Sequence, residues 1–146
     1  MSNWSEKISE TEISVKITGK TVDFAERFGK YLGVDEKFTV LDRYNKTQEK
    51  KRQKLTTSQL RKFFGEIKRQ QAKGYDSTDF ILLKPKLAYA VGRAKDENAK
   101  INDFYFVLSD AINKVKSPEH FKNFIKIFEA IVAYHKAAEE SKLEIN

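Results

Sequence analysis

Apolar residues recur along most of the chain at helical spacing, and the stripes break at glycines, prolines and capping residues. Between Thr21 and Leu32, Val22, Ala25, Phe28 and Leu32 share one side and run into Gly33, a natural helix stop. Thr56 and Gln59 have the spacing of a capping box, flanked by Leu55 and Leu60 as a hydrophobic staple. From there Leu60, Phe63, Phe64 and Ile67 recur at i, i+3, i+4 and i+7, and the stripe ends at Gly74. Pro85 suits the first position of a further helix, with Leu87, Val91 and Ala94 as its inward row. Ile101, Phe104, Tyr105, Leu108, Ala111, Ile112 and Val115 form the next stripe, and Ser117-Pro118 supplies the N-cap and N1 residues of another helix.

That last helix, about Pro118 to Glu140, carries a wide arc: Phe121, Phe124, Ile125, Ile127, Phe128, Ile131, Val132 and Tyr134. Such breadth fits a central buried helix, or one that also meets a partner subunit; the central position is the reading preferred. Glu36 to Tyr44 is expected as a further short helix. Lys46 to Lys54 has no apolar residue and is expected as a loop or frayed turn. The pattern as a whole predicts an all-α, single-domain helical bundle of about five helices over residues 1–146. Ile13, Val15 and Ile17 dissent, alternating with Ser14, Lys16 and Thr18 at the period of a strand. A lone strand has no sheet to join, so residues 1–19 read as an arm, flexible or paired with another chain.

Composition narrows the function. A chain of 146 residues fits one domain, and the absence of cysteine excludes disulfides, thiolate metal sites and cysteine nucleophiles. No apolar run reaches the ~18 residues of a membrane span, and Met1 to Lys20 lacks the apolar core of a signal peptide, so a cytoplasmic protein is expected. The net charge of +7 is uneven: residues 46–93 hold 13 Lys and Arg against 4 Asp and Glu, a local +9 that leaves −2 elsewhere. One basic segment on a balanced body points to an anionic partner, most often nucleic acid. A solvated helix face beside a lysine-rich loop would give the same charge.

Catalysis finds little support. His120 falls at N3 of the last helix, where capping is its ordinary role, and His135 lies one heptad after Phe128 at a core edge. No metal-binding histidine spacing and no glycine-rich phosphate loop occurs. Asp103 and Asp110 share an outward face but stand two turns apart, too far to grip one ion unaided. The chain is therefore expected to be no enzyme, with no catalytic residue, metal or cofactor.

The binding features are stronger. Arg61 and Lys68 lie seven apart along one flank of the Thr57–Lys73 helix, while Lys62, Arg69 and Lys73 cover its solvent side. On the next helix Lys86, Tyr89 and Arg93 fall at i, i+3 and i+7. An aromatic ring between two cations can stack a base while its neighbours hold phosphates. The bland alternative is that Tyr89 packs on a neighbouring helix and the cations are merely solvated.

Two segments then resemble one family. Leu55-Thr56-Thr57-Ser58-Gln59-Leu60-Arg61-Lys62-Phe63-Phe64 and Leu82-Leu83-Lys84-Pro85-Lys86-Leu87-Ala88-Tyr89-Ala90-Val91-Gly92-Arg93 resemble signature blocks of the small subunit of the type III-A CRISPR effector, the Csm complex. The resemblance implies a non-catalytic helical subunit that stacks beside the backbone filament, meets the large subunit and associates with itself. Its implied nucleic-acid partners are the CRISPR guide RNA and single-stranded target RNA. Lys54, Arg61, Lys84, Lys86 and Arg93 are the cations the resemblance assigns to RNA; Lys68, Arg69 and Tyr89 join them on the helical-face argument. A spacer acting through protein contacts only is the first alternative. A free-standing helical nucleic-acid binder is the second, weakened because Lys46 to Lys54 could not be the packed partner of a recognition helix.

Overall fold

In the computed structural model, the described residues are Trp4, 16–94 and 98–140. Helix α1 spans Gly19–Leu32, strands β1 and β2 span Glu36–Leu41 and Thr47–Arg52, and α2 spans Thr57–Lys73. Helices α3 (Ser77–Ile81), α4 (Leu83–Arg93), α5 (Ile101–Asn113) and α6 (Pro118–Glu139) complete the order. The fold is thus all-α apart from one small two-stranded sheet. None of these helices is long and apolar enough to cross a membrane.

The central position expected for α6 holds. Phe121, Phe124, Ile125, Ile127, Phe128 and Ile131 are all buried, and they meet Phe28, Leu32, Phe80, Phe104 and Leu108 in one core. The rings interlock: Phe80 stands edge-on to Phe124 at 5.0 Å, and Phe124 stacks on Phe128 at 6.2 Å. Helix α1 lies unusually close against α6, because Gly29 and Gly33 bring backbone onto backbone. A Cβ at Gly29 would stand 2.7 Å from the Ile131 carbonyl oxygen, and one at Gly33 would stand 2.6 Å from that of His135. Gly33 does end the helix as expected, but with a right-handed φ of −84°. Its lack of a side chain serves the close approach rather than the turn.

The capping signals were also legible. The Gln59 amide donates to Thr56 Oγ1 at 3.1 Å and the Thr56 amide to Gln59 Oε1 at 2.8 Å, while Leu55 and Leu60 are buried beneath. The His120 amide donates to Ser117 Oγ at 3.2 Å, with Pro118 at N1. Pro85, in contrast, sits third in α4 rather than first. The first turn tolerates it, since amides there have no acceptor within the helix. Val22 faces solvent; the inward row of α1 is Thr21, Phe24, Ala25, Phe28 and Leu32.

The larger correction concerns residues 36–52, where strands replace the expected short helix and loop. They pair antiparallel from Glu36↔Arg52 to Leu41↔Thr47. Phe38, Thr39 and Val40 favour the extended state over a helix. The chain reverses through Asp42–Asn45, with Asn45 in the left-handed region at φ 60°. Asp42 Oδ1 accepts from the amides of Tyr44 (2.8 Å) and Lys46 (2.9 Å), a turn-making role typical of Asp. Strand β2 has no apolar residue; the ladder and cross-strand charge pairs hold it, chiefly Arg52 on Glu36 at 2.6 Å.

Half of the alternating segment, residues 13–15, lies outside the described residues; Lys16–Thr18 has no regular structure, and Thr18 is the N-cap of α1. Nothing in the sequence pattern flagged Lys100, which is buried. Its ammonium donates to the Tyr31 carbonyl at 2.7 Å and lies 4.0 Å from the Tyr31 ring centroid. Burial pushes its pKa down.

Candidate nucleic-acid interface

Helices α2 and α4 run past each other without closing, and a groove of about 490 Å³ opens between them. Lys62 and Glu66 form its α2 wall, Lys86, Tyr89 and Arg93 its α4 wall, and Phe63 and Ala90 line the space between. The spacing that put Lys86, Tyr89 and Arg93 on one sector therefore does converge on a concave surface. Tyr89 is 69% exposed, which overturns the alternative that it packs on a neighbouring helix. The Arg93 guanidinium lies 5.9 Å from its ring centroid, within cation–π range. Lys62, assigned from the sequence to the open solvent side, instead shares this groove.

The groove is not uniformly basic. Glu66 Oε1 accepts from Lys86 Nζ at 2.8 Å, from Arg69 at 2.7 Å and from Gln70 at 3.2 Å. Arg69 reaches on to Asp79 at 3.0 Å, and Lys73 meets the same carboxylate at 3.1 Å. Arg69 chiefly, with Lys86 and Gln70 and against the effect of burial, holds the Glu66 carboxyl down to about 2. Arg69 and then Lys73 likewise depress Asp79. Lys86, Arg69 and Lys73 thus meet a phosphate only in competition with fixed carboxylates. Lys62 and Arg93 make no ion pair among the described residues and remain available.

The other candidate cations lie elsewhere. Arg61 and Lys68 lie along the opposite flank of α2, toward α6, and Lys54 stands just before that helix on the same side. Lys54 approaches Glu139 at 3.7 Å, and Lys68 pairs with Glu129 at 3.1 Å while lying 5.4 Å from the Phe64 ring centroid. Arg61 lines a second groove of about 460 Å³, which also exposes Lys136, Glu139 and Glu140 and is therefore mixed in charge. Lys84 turns to α5, where its ammonium donates to Asn113 Oδ1 at 2.8 Å. Of the eight expected contacts, Arg69, Lys86, Tyr89 and Arg93 share the α2–α4 face, three share the α6 flank, and Lys84 is separate.

The candidate catalytic groups have structural tasks. His135 is buried and its Nε2–H donates to the Leu55 carbonyl at 2.6 Å, a step deeper than the expected core edge. His120 Nδ1 accepts from the Lys116 amide at 3.0 Å. Asp103, expected to face outward, accepts from the Tyr31 hydroxyl at 2.5 Å. Burial and then this bond push the Tyr31 phenol up.

The family model for Csm2 Type III-A matches residues 35–141, which takes in the hairpin and every helix from α2 to α6. The chain belongs to that family. It is a family of small structural subunits of the type III-A CRISPR effector, so the partners of this Csm2-family chain include the other subunits of the Csm complex. Both blocks that carried the resemblance, residues 55–64 and 82–93, fall inside the matched region and supply the two walls of the α2–α4 groove. No curated protein and no solved structure matches the chain.

Proposed function

We propose that this subunit has no catalytic activity and holds single-stranded RNA, target or guide, along the α2–α4 groove while stacking beside the filament of the Csm complex. One observation carries the reading: an exposed Tyr89 stands in a groove with Arg93 and Lys62 unpaired and Lys86 beside them. Base pairing with the guide would supply sequence recognition, so the protein needs only cations for the backbone and a ring on which any base can stack. Each contact is modest. Repetition along stacked copies would raise the effective concentration and with it the overall grip.

Binding of a single-stranded RNA to the full chain, measured by anisotropy across a salt series, tests this. We expect weak, sequence-independent binding that falls steeply with salt. Tyr89→Ala should lose about tenfold, in keeping with ~1–3 kcal/mol for a stacked base. Arg93→Glu should weaken binding further while the protein still melts normally. A flat salt series, or full affinity in both variants, would refute the reading.

The spacer alternative also has an observation in its favour. Lys54, Lys68, Arg69, Lys73 and Lys86 are all engaged by carboxylates of the same chain. Exposed ion pairs are worth only ~0–1 kcal/mol, so a phosphate can displace them. If Arg61→Glu and Arg93→Glu abolish assembly with the other subunits and leave the RNA affinity of the isolated chain untouched, the spacer reading wins; if assembly stays intact and RNA retention is lost, the binding reading wins.

A further inference from the structure

The hairpin β1–β2 has no counterpart in the helical pattern, and among the described residues no helix packs extensively on either strand. Two strands alone are marginally stable in water, so a hairpin carried on the outside of a bundle calls for an explanation. Its charges are arranged asymmetrically. Residues 36–52 hold six cations and three carboxylates. Each carboxylate is turned to a partner within the hairpin: Glu36 to Arg52, Glu49 to Lys37 at 3.8 Å, and Asp42 to the amides of its own turn. Arg43, Lys46 and Lys50, in contrast, have no ion pair among the described residues, and all three are exposed. Beside them stand Tyr44, 68% exposed, and Leu41, 69% exposed. The Arg43 guanidinium lies 5.0 Å from the Tyr44 ring centroid. That pairing repeats the Arg93–Tyr89 arrangement of the groove on a separate element.

We propose that the hairpin is a second RNA contact of the subunit: the Arg43–Tyr44 tip stacks on a base, and Lys46 and Lys50 hold the adjoining phosphates. The charge pattern selects the occupant. A polyanion with flat, apolar base faces satisfies both the uncompensated cations and the bare ring. The inference rests on the reading of the chain as an RNA-holding subunit and adds a site outside the groove. Asn45 in the left-handed conformation and Asp42 across the turn fix the tip, so its ring is presented with little ordering cost.

The test uses the full chain, a single-stranded RNA containing 4-thiouridine, and mapping of the photo-cross-linked peptides. Cross-links are expected at the Tyr44 peptide as well as the Tyr89 peptide. The double variant Lys46→Glu/Lys50→Glu should bind about tenfold more weakly at low salt, and its salt slope should shrink by about 1.4, the value for two single-strand phosphates. Tyr44→Phe should keep the cross-link and Tyr44→Ala lose it. If the groove variants lose RNA while the hairpin variants bind like the parent and no cross-link maps to Tyr44, the hairpin inference falls and the groove reading stands. If the parent binds no RNA at any salt, both fall together. If the hairpin variants keep RNA but lose assembly with the other Csm subunits, the tip is a protein contact and the inference is overturned.

Discussion

Replacing Gly29 with alanine tests the closeness of α1 and α6. The new methyl carbon would stand 2.7 Å from both the Ile131 carbonyl oxygen and Tyr134 Cβ, and 3.0 Å from the His135 amide nitrogen. Ordinary carbon–oxygen contacts lie at ~3.3–3.6 Å, so the helices must part by roughly 0.7 Å along that line. Two of the three obstacles are backbone atoms of a central helix and cannot rotate away. Overpacking of this kind costs ~1–3 kcal/mol, and gaps opened elsewhere along the seam forfeit dispersion contacts on top of that. Alanine returns up to ~1 kcal/mol of helix propensity, which leaves a net loss of about 2 kcal/mol. For a domain of this size that lowers the melting temperature by about 4–8 °C. Gly65→Ala is the internal control: Gly65 lies mid-helix in α2, and nothing stands within 4 Å of its added Cβ. The same substitution there should raise the melting temperature by ~2–4 °C. Thermal unfolding of the two variants side by side decides the matter. A Gly29→Ala protein that melts at or above the parent would refute the close-packed seam.

Three further outcomes follow from particular contacts. Thr56→Ala removes the cap that accepts the Gln59 amide and should cost about 1 kcal/mol in urea unfolding, with α2 the first element to loosen. Glu66, held near 2 against an ordinary 4.5, contributes stability that is complete above pH 4.5 and is lost as pH falls toward 2. In an acid titration Glu66→Gln should flatten that part of the acid limb by about 1 kcal/mol, discounted for solvent screening, and should raise RNA affinity several-fold at low salt by releasing Lys86. Asp42→Ala removes the acceptor for two turn amides and should speed amide exchange at Tyr44 and Lys46 without shifting the global melt.

The helical skeleton was readable because its start signals and apolar stripes are local. The Thr56–Gln59 box and the Ser117-Pro118 start need only a few neighbouring residues to be recognised. The hairpin was missed for the opposite reason. Strand β2, Thr47–Arg52, has no apolar residue, so no period could announce it. Its extended state depends on Glu36 and Lys37, residues that reach it only through the Asp42–Asn45 turn. At the groove, the sector formed by Lys86, Tyr89 and Arg93 was legible from spacing, whereas its opposite wall was not. Nothing local to α2 says that Lys62 and Glu66 will face α4, or that Glu66 will occupy Lys86 and Arg69. Val22 and Thr21 exchanged places because one residue of rotation, about 100°, separates the faces of α1.

The buried Lys100 has a kinetic consequence. Its amide donates to the Gln53 carbonyl at 2.9 Å while its ammonium holds the Tyr31 carbonyl, so one residue joins the end of α1, the root of the hairpin and the start of α5. Nearby, the Leu55 amide donates to the Leu32 carbonyl at 2.8 Å and ties the end of α1 to the root of the hairpin again. These partners are separated by 23 to 69 positions in the chain, so they cannot form before the distant segments have met. The root of the hairpin is therefore a late-closing junction. Once closed, its amides should open only with the whole molecule, while those at the tip exchange on their own. The hairpin thus joins two regimes of motion: a root as slow as global unfolding and a tip as quick as a surface loop.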